Sequence, residues 1–129
     1  MRIITVIAAA ILFLHGLIHL MGSAAYLKLA EIEQLPYKTT VLNGRWDLGS
    51  SGTTIFGILW AVAAIGFILI AIAFFGNWDW WRFGLIGVTL FSLVLTSLDW
   101  SVANAGVVVN LTIFLILFLG PWISKLIAP

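Results

Sequence analysis

GTTIFGILWAVAAIGFILIAIAFF, residues 52–75, contains neither a charged side chain nor a proline. At about 1.5 Å per residue, such a helix outruns the ~30 Å hydrocarbon core of a bilayer. A soluble chain of 129 residues could not hide this run together with its other apolar side chains. Hydrophobic residues make up 63% of the sequence and charged residues 9%, against roughly 25% charged in an ordinary soluble domain. Lipid is the expected solvent.

Working outward, the same criterion finds spans at about 3–27, 80–98 and 102–119. Together these predict an all-α fold: an integral membrane four-helix bundle forming a single transmembrane domain over residues 1–129. Gly120-Pro121 closes the last apolar run, so WISKLIAP is expected to kink or lie along the interface. The first span has a signal-peptide outline, with Arg2 ahead and Ser23-Ala24-Ala25 behind. Its apolar run exceeds the usual length of roughly 7–15 residues and holds both histidines, so it reads as a retained helix.

The stretch between the first two spans, residues 28–51, is expected to be a non-cytoplasmic loop capping one end of the bundle. LKLAEIEQL suits a short interfacial helix stopped by Pro36. Beyond it, Asn43-Gly44 accepts the positive φ values of a type I′ turn, which would set Val41 opposite Trp46. An irregular loop held by Trp46 is the alternative. Trp78, Trp80, Trp81 and Trp122 mark one membrane face, and Tyr26, Tyr37, Trp46 and Trp100 the other. Arg2, Arg82, Lys125 and the terminal amine balance Lys28, Lys38 and Arg45 almost evenly; the amine and Arg2 favour cytoplasmic termini in a multi-pass protein of the cell membrane.

Other classes fall away. A net charge of +1 leaves no basic patch for nucleic acid, and the absence of cysteine removes disulfides and thiolate metal sites. The expected partners are the lipid bilayer, other membrane subunits or a second copy of the chain.

Polar groups in hydrocarbon are costly and generally face a bundle interior or a wet cavity. His15, His19, Gly22 and Tyr26 share one helical stripe, and Thr89, Ser92, Thr96 and Asp99 another. Asn110 and the unusually deep Trp60 come from the remaining spans. Counting 1.5 Å per residue from the loop-bearing end puts His19 and Trp60 about 12 Å deep, Asn110 about 9–12 Å and Ser92 about 10 Å below Asp99 at the rim; His15 lies about 18 Å down. A half-depth polar pocket with His15, His19, Trp60, Ser92, Asp99 and Asn110 as ligand-binding residues is therefore expected. The competing reading makes the histidines packing glue, the Ser/Thr stripe self-bonded, Asp99 a water-facing rim group and Trp60 core.

FLHGLIHLMG, residues 13–22, resembles the first-helix signature of small four-helix bacterial membrane proteins. More distantly it is similar to the DoxX-like group, whose first helix often carries a His-Gly-x-x-Lys pattern; His19 stands where that pattern has Lys. The resemblance implies a four-helix bundle and, as in some members of that group, association with quinone-linked redox complexes.

Several chemistries can be weighed against these residues. His15 and His19 could chelate a metal from one face with Asp99 as third ligand. Both lie on one stripe, so they cannot ligate a haem from opposite sides within one chain. Ser92 lacks a triad. An apolar or quinone-like ligand with a polar tip fits best, since Trp60, His19, Asn110 and Ser92 offer an aromatic wall and hydrogen-bonding groups. His19, level with the others, is the expected main contact, and His15 a deeper proton relay. A ligand-binding protein or accessory subunit of a membrane complex is thus the leading function. An intramembrane enzyme or metal- or tetrapyrrole-binding protein using His15 and His19 comes second, a purely structural subunit third.

Overall fold

The computed structural model describes residues 2–128. Helices α1 (Arg2–Tyr26), α2 (Gly49–Phe75), α3 (Trp81–Leu98) and α4 (Trp100–Ile127) account for most of them, and a two-stranded antiparallel hairpin, β1 (Thr40–Val41) with β2 (Trp46–Asp47), separates α1 from α2. All four helices are long and apolar enough to cross a membrane. Helix α1 packs along α2, α2 on α3 and α3 on α4; no comparable seam joins α4 back to α1.

Glycines on α1 set the closeness of its packing on α2. A Cβ at Gly22 would lie 2.5 Å from Cδ2 and Cε3 of Trp60, and one at Gly16 would lie 3.0 Å from the Ala64 carbonyl oxygen. Only a hydrogen at Gly22 leaves room for the Trp60 ring, and only one at Gly16 lets α1 come this close to the α2 backbone.

The first two helix ends share one device. Lys28 adopts a φ of 56° and Asn77 one of 54°. At each, the amide of the following residue reaches back to a carbonyl in the last helical turn, Leu29 to Ala24 and Trp78 to Ala73. These are Schellman-type stops built without glycine at the left-handed position. The early stop also removes the expected interfacial helix. Residues 27–36 form turns and bends, because the chain has already reversed at Lys28.

The hairpin pairs Val41 with Trp46 and Thr40 with Asp47, and the Arg45 N–H donates to the Leu42 carbonyl across Asn43-Gly44. Asn43 and Gly44 have φ of 55° and 83°, the signs a primed turn requires. Pairing stops there because the Leu42 N–H donates to the Leu98 carbonyl at 2.8 Å instead of extending the ladder. Asp47 hands the chain to α2: the Gly49 N–H and then the Thr39 side chain hold its carboxyl below the usual carboxylate range.

The end of the chain departs from expectation. Helix α4 does not break at Gly120-Pro121 but runs through Pro121 to Ile127. A proline forfeits one hydrogen bond, and an apolar helix can absorb that loss where neighbouring backbone readjusts. Its irregularity lies at the other end, where Ala103 has φ −118° and ψ 17°. Both the Val102 and Ala103 amides donate to the Asp99 carbonyl there, tightening the first turn. Helix α2 likewise begins at Gly49, ahead of the expected 52.

Two apolar clusters form the core. One gathers Tyr26, Val41, Phe56, Trp60, Leu95 and Ala103; the other gathers Leu12, Phe67, Ile70, Leu85 and Leu117. On α1 and α4 the buried polar residues fall between these clusters in sequence, as do Thr89 and Ser92 on α3, with Thr96 just past Leu95; together they form a polar layer between two greasy ones.

Candidate functional site

His15, His19, Ser92, Thr96, Asp99 and Asn110 are all buried, none more than 6% exposed, and Trp60 is 3% exposed. The helical stripes read from the sequence explain the convergence: His15 and His19 lie one turn apart on α1, and Ser92 and Thr96 one turn apart on α3. Asn110 of α4 faces both stripes.

The bonds among these residues can be polarised from a single fixed point. A carbonyl oxygen only accepts, so the His19 Nδ1–H donates to the His15 carbonyl at 2.8 Å. In the neutral ring, His19 Nε2 is then an acceptor, and the Ser92 hydroxyl donates to it at 2.7 Å. Thr96 spends its proton on the Ser92 carbonyl at 2.8 Å. The atom of Asn110 that faces the Ser92 and Thr96 oxygens, at 2.8 and 3.3 Å, must therefore be the donating Nδ2. Its Oδ1 is left to accept from the His15 Nε2–H at 3.3 Å. The last bond crosses from α1 to α4, two helices that share no packed seam. Ring contacts hold the histidines in place: His15 lies edge-on to Phe67 at 4.6 Å, and His19 is tilted against Trp60 at 5.2 Å.

Asp99 belongs to a different group. It is 1% exposed rather than facing water, and its carboxylate accepts from the Tyr26 hydroxyl and from Lys38 Nζ. Lys38 also donates to the Thr40 carbonyl at 3.1 Å. A buried carboxylate needs such partners, since an unpaired charge there would cost several kcal/mol, about 3–5. The triad of His15, His19 and Asp99 weighed as a metal site does not assemble; no three His, Cys, Asp or Glu residues gather at one point among the described residues.

Two buried polar atoms have no partner among the described residues: Trp60 Nε1 and Thr89 Oγ1. Trp60 lines a half-open cavity of about 220 Å³, together with His15, His19 and Thr96. Ile18 and Met21 of α1 form one wall and Val102, Gly106 and Val109 of α4 the opposite one, while Gln34 and Leu35 lie at the loop end. The cavity thus occupies the loose α1–α4 side. A larger hollow of about 840 Å³ is formed by Ala25, residues 28–33, Pro36 and Tyr37, but no unpartnered buried group points to a ligand there.

Sequence reading missed Lys38 as the partner of Asp99, and missed Met21, Gln34 and the first turns of α4 as cavity lining. One signal was available for the first: a carboxylate at a helix junction calls for a cation, and Lys28, Lys38 and Arg45 were the candidates in the adjoining loop.

No family model, curated protein or solved structure matches this chain.

Proposed function

We propose that this chain is a multi-pass membrane protein that binds an apolar ligand with a polar tip, of the quinone-like class, in the α1–α4 cavity. The observation carrying this reading is Trp60, which lines an otherwise mostly apolar cavity and whose buried Nε1–H has no partner among the described residues. Leaving such a donor unpaired costs about 1–3 kcal/mol, and a ligand oxygen that reached it would recover it. Size narrows the class. About 220 Å³ is below the ~300–1,000 Å³ of a site that engulfs a drug-sized molecule. It takes one ring, with any tail leaving between α1 and α4 into lipid.

Lipid as solvent is supported by the outer surface, where Phe83, Leu126 and Ile116 are 81%, 82% and 67% exposed. The same reading keeps both termini cytoplasmic and the hairpin outside, and the DoxX-like relationship stays part of it, on FLHGLIHLMG alone. Within the site the hydrogen bonds favour His15 over His19 as the ligand contact. Both ring nitrogens of His19 are engaged, whereas His15 uses one.

Organic extraction of the purified protein, followed by mass spectrometry, tests the proposal. The extract should hold a ring-bearing lipid near one equivalent, enriched over bulk membrane extract. Val109→Phe, which fills the cavity from α4, should lose it without loss of fold. An extract matching bulk lipid, in wild type and variant alike, would refute ligand binding.

A further inference from the structure

The polar layer leaves one hydrogen-bonding atom of the histidine pair unspent, and its character is fixed. The Ser92 proton goes to His19 Nε2 and the Thr96 proton to the Ser92 carbonyl. Turning Asn110 over would aim its oxygen at two oxygens that have no proton left to give. The orientation with Nδ2 toward Ser92 and Thr96 is therefore the only satisfied one. It forces the His15 proton onto Nε2, where it meets Asn110 Oδ1. In the neutral ring Nδ1 is then a bare lone pair, on a residue that lines the cavity, and no described residue donates to it.

We infer that His15 Nδ1 is a specificity-determining acceptor, and that within the quinone-like class the cavity selects ligands whose polar tip is a neutral hydroxyl, as in the reduced quinol form, over carbonyl-only or ether analogues. This rests on the proposed cavity reading and goes further by naming the tip. His15 Nδ1 is an acceptor on a residue of the cavity lining, so the site is complementary to a group that donates. A hydroxyl donates. An ether or a ketone leaves the His15 lone pair facing a second acceptor. The layer enforces this choice from behind: were Nδ1 to carry the proton, His15 Nε2 and Asn110 Oδ1 would be two acceptors 3.3 Å apart.

The test uses the full chain in phospholipid nanodiscs, ¹⁵N-labelled at tryptophan and histidine, with empty nanodiscs as the partition control. The probes are 4-tert-butylphenol and its methyl ether, 4-tert-butylanisole. Binding is followed at the Trp60 indole resonance, assigned by its loss in Trp60→Phe. The phenol should bind about tenfold more tightly than the ether, the equivalent of one net hydrogen bond. Histidine ¹⁵N shifts should show His15 protonated at Nε2 and His19 at Nδ1. In His15→Gln, which keeps an amide donor for Asn110, the two probes should bind alike, with the circular dichroism of the fold retained. Equal binding of both probes to wild type, or a His15 proton on Nδ1, overturns the hydroxyl selection while leaving the cavity reading standing. Failure of both probes to move the Trp60 resonance overturns both.

Discussion

Asn110 is the residue on which the polar layer turns. It donates to Ser92 and Thr96 and accepts from His15, so one side chain joins α1, α3 and α4. Replacing it strands donors and acceptors on three helices at once. His19 joins only α1 and α3, through Ser92, and His15 contributes one long bond. The expected order of destabilisation is therefore Asn110→Leu, then His19→Leu, then His15→Leu. The first should cost about 1–3 kcal/mol, the scale of unpaired buried groups. The last should fall near the ~0.6 kcal/mol average of an interhelical hydrogen bond. Thermal unfolding in detergent ranks the three, and His15→Leu as the most damaging would show that the bonds run otherwise.

At the scale of elements, the hairpin acts as a fastening. Val41 is 3% exposed and packs with Tyr26, Phe56 and Trp60, the Leu42 amide donates to Leu98, and Lys38 pairs with Asp99. Four consecutive residues between Val41 and Trp46 make this reach possible, and Leu42, Asn43 and Gly44 all have positive φ. Gly44, at 83°, has no atom within 4 Å of where a Cβ would stand, so a substitution there tests backbone conformation alone. A β-branched residue in that region is strained by about 1–3 kcal/mol. Gly44→Val should loosen the hairpin, and trypsin should then cut at Lys38 and Arg45 several-fold faster in the detergent-solubilised protein. An unchanged cleavage rate would mean that the turn does not hold the segment.

For the whole molecule, the proposed arrangement in the bilayer makes a sidedness prediction. The chain contains no cysteine, so single introduced thiols report without background. Glu33, Asp79 and Ser124 are all exposed, in the segment between α1 and the hairpin, the α2–α3 turn and the end of α4. With both termini cytoplasmic, Glu33→Cys should react with a membrane-impermeant maleimide on intact cells. Asp79→Cys and Ser124→Cys should react only after permeabilisation. The inverse pattern would reverse the orientation and keep four crossings; labelling of Glu33→Cys and Asp79→Cys from the same side would refute the four-crossing arrangement.

The sequence by itself determined the four helices, because an unbroken apolar run has one low-energy backbone when its amides must bond internally. It also determined which side chains share a stripe, since helical periodicity is a local property: His15 with His19, Ser92 with Thr96. The Asn43-Gly44 turn was legible for the same reason, its φ signs being a matter of local sterics. The partners of those stripes were decided only by tertiary structure. Asp99 could have joined the histidines or faced water; it is turned to Tyr26 and Lys38 because the chain reverses at Lys28 and the hairpin returns across the α3–α4 junction. Pro121 reads locally as a break, yet the helix continues through it and bends its dihedrals at Ala103 instead, where Asp99 takes two amides. The roles of His15 and His19 were likewise beyond local reading. Which nitrogen carries a proton depends on a carbonyl one turn back, a hydroxyl on α3 and an amide on α4, and that set of atoms exists only once the helices are packed.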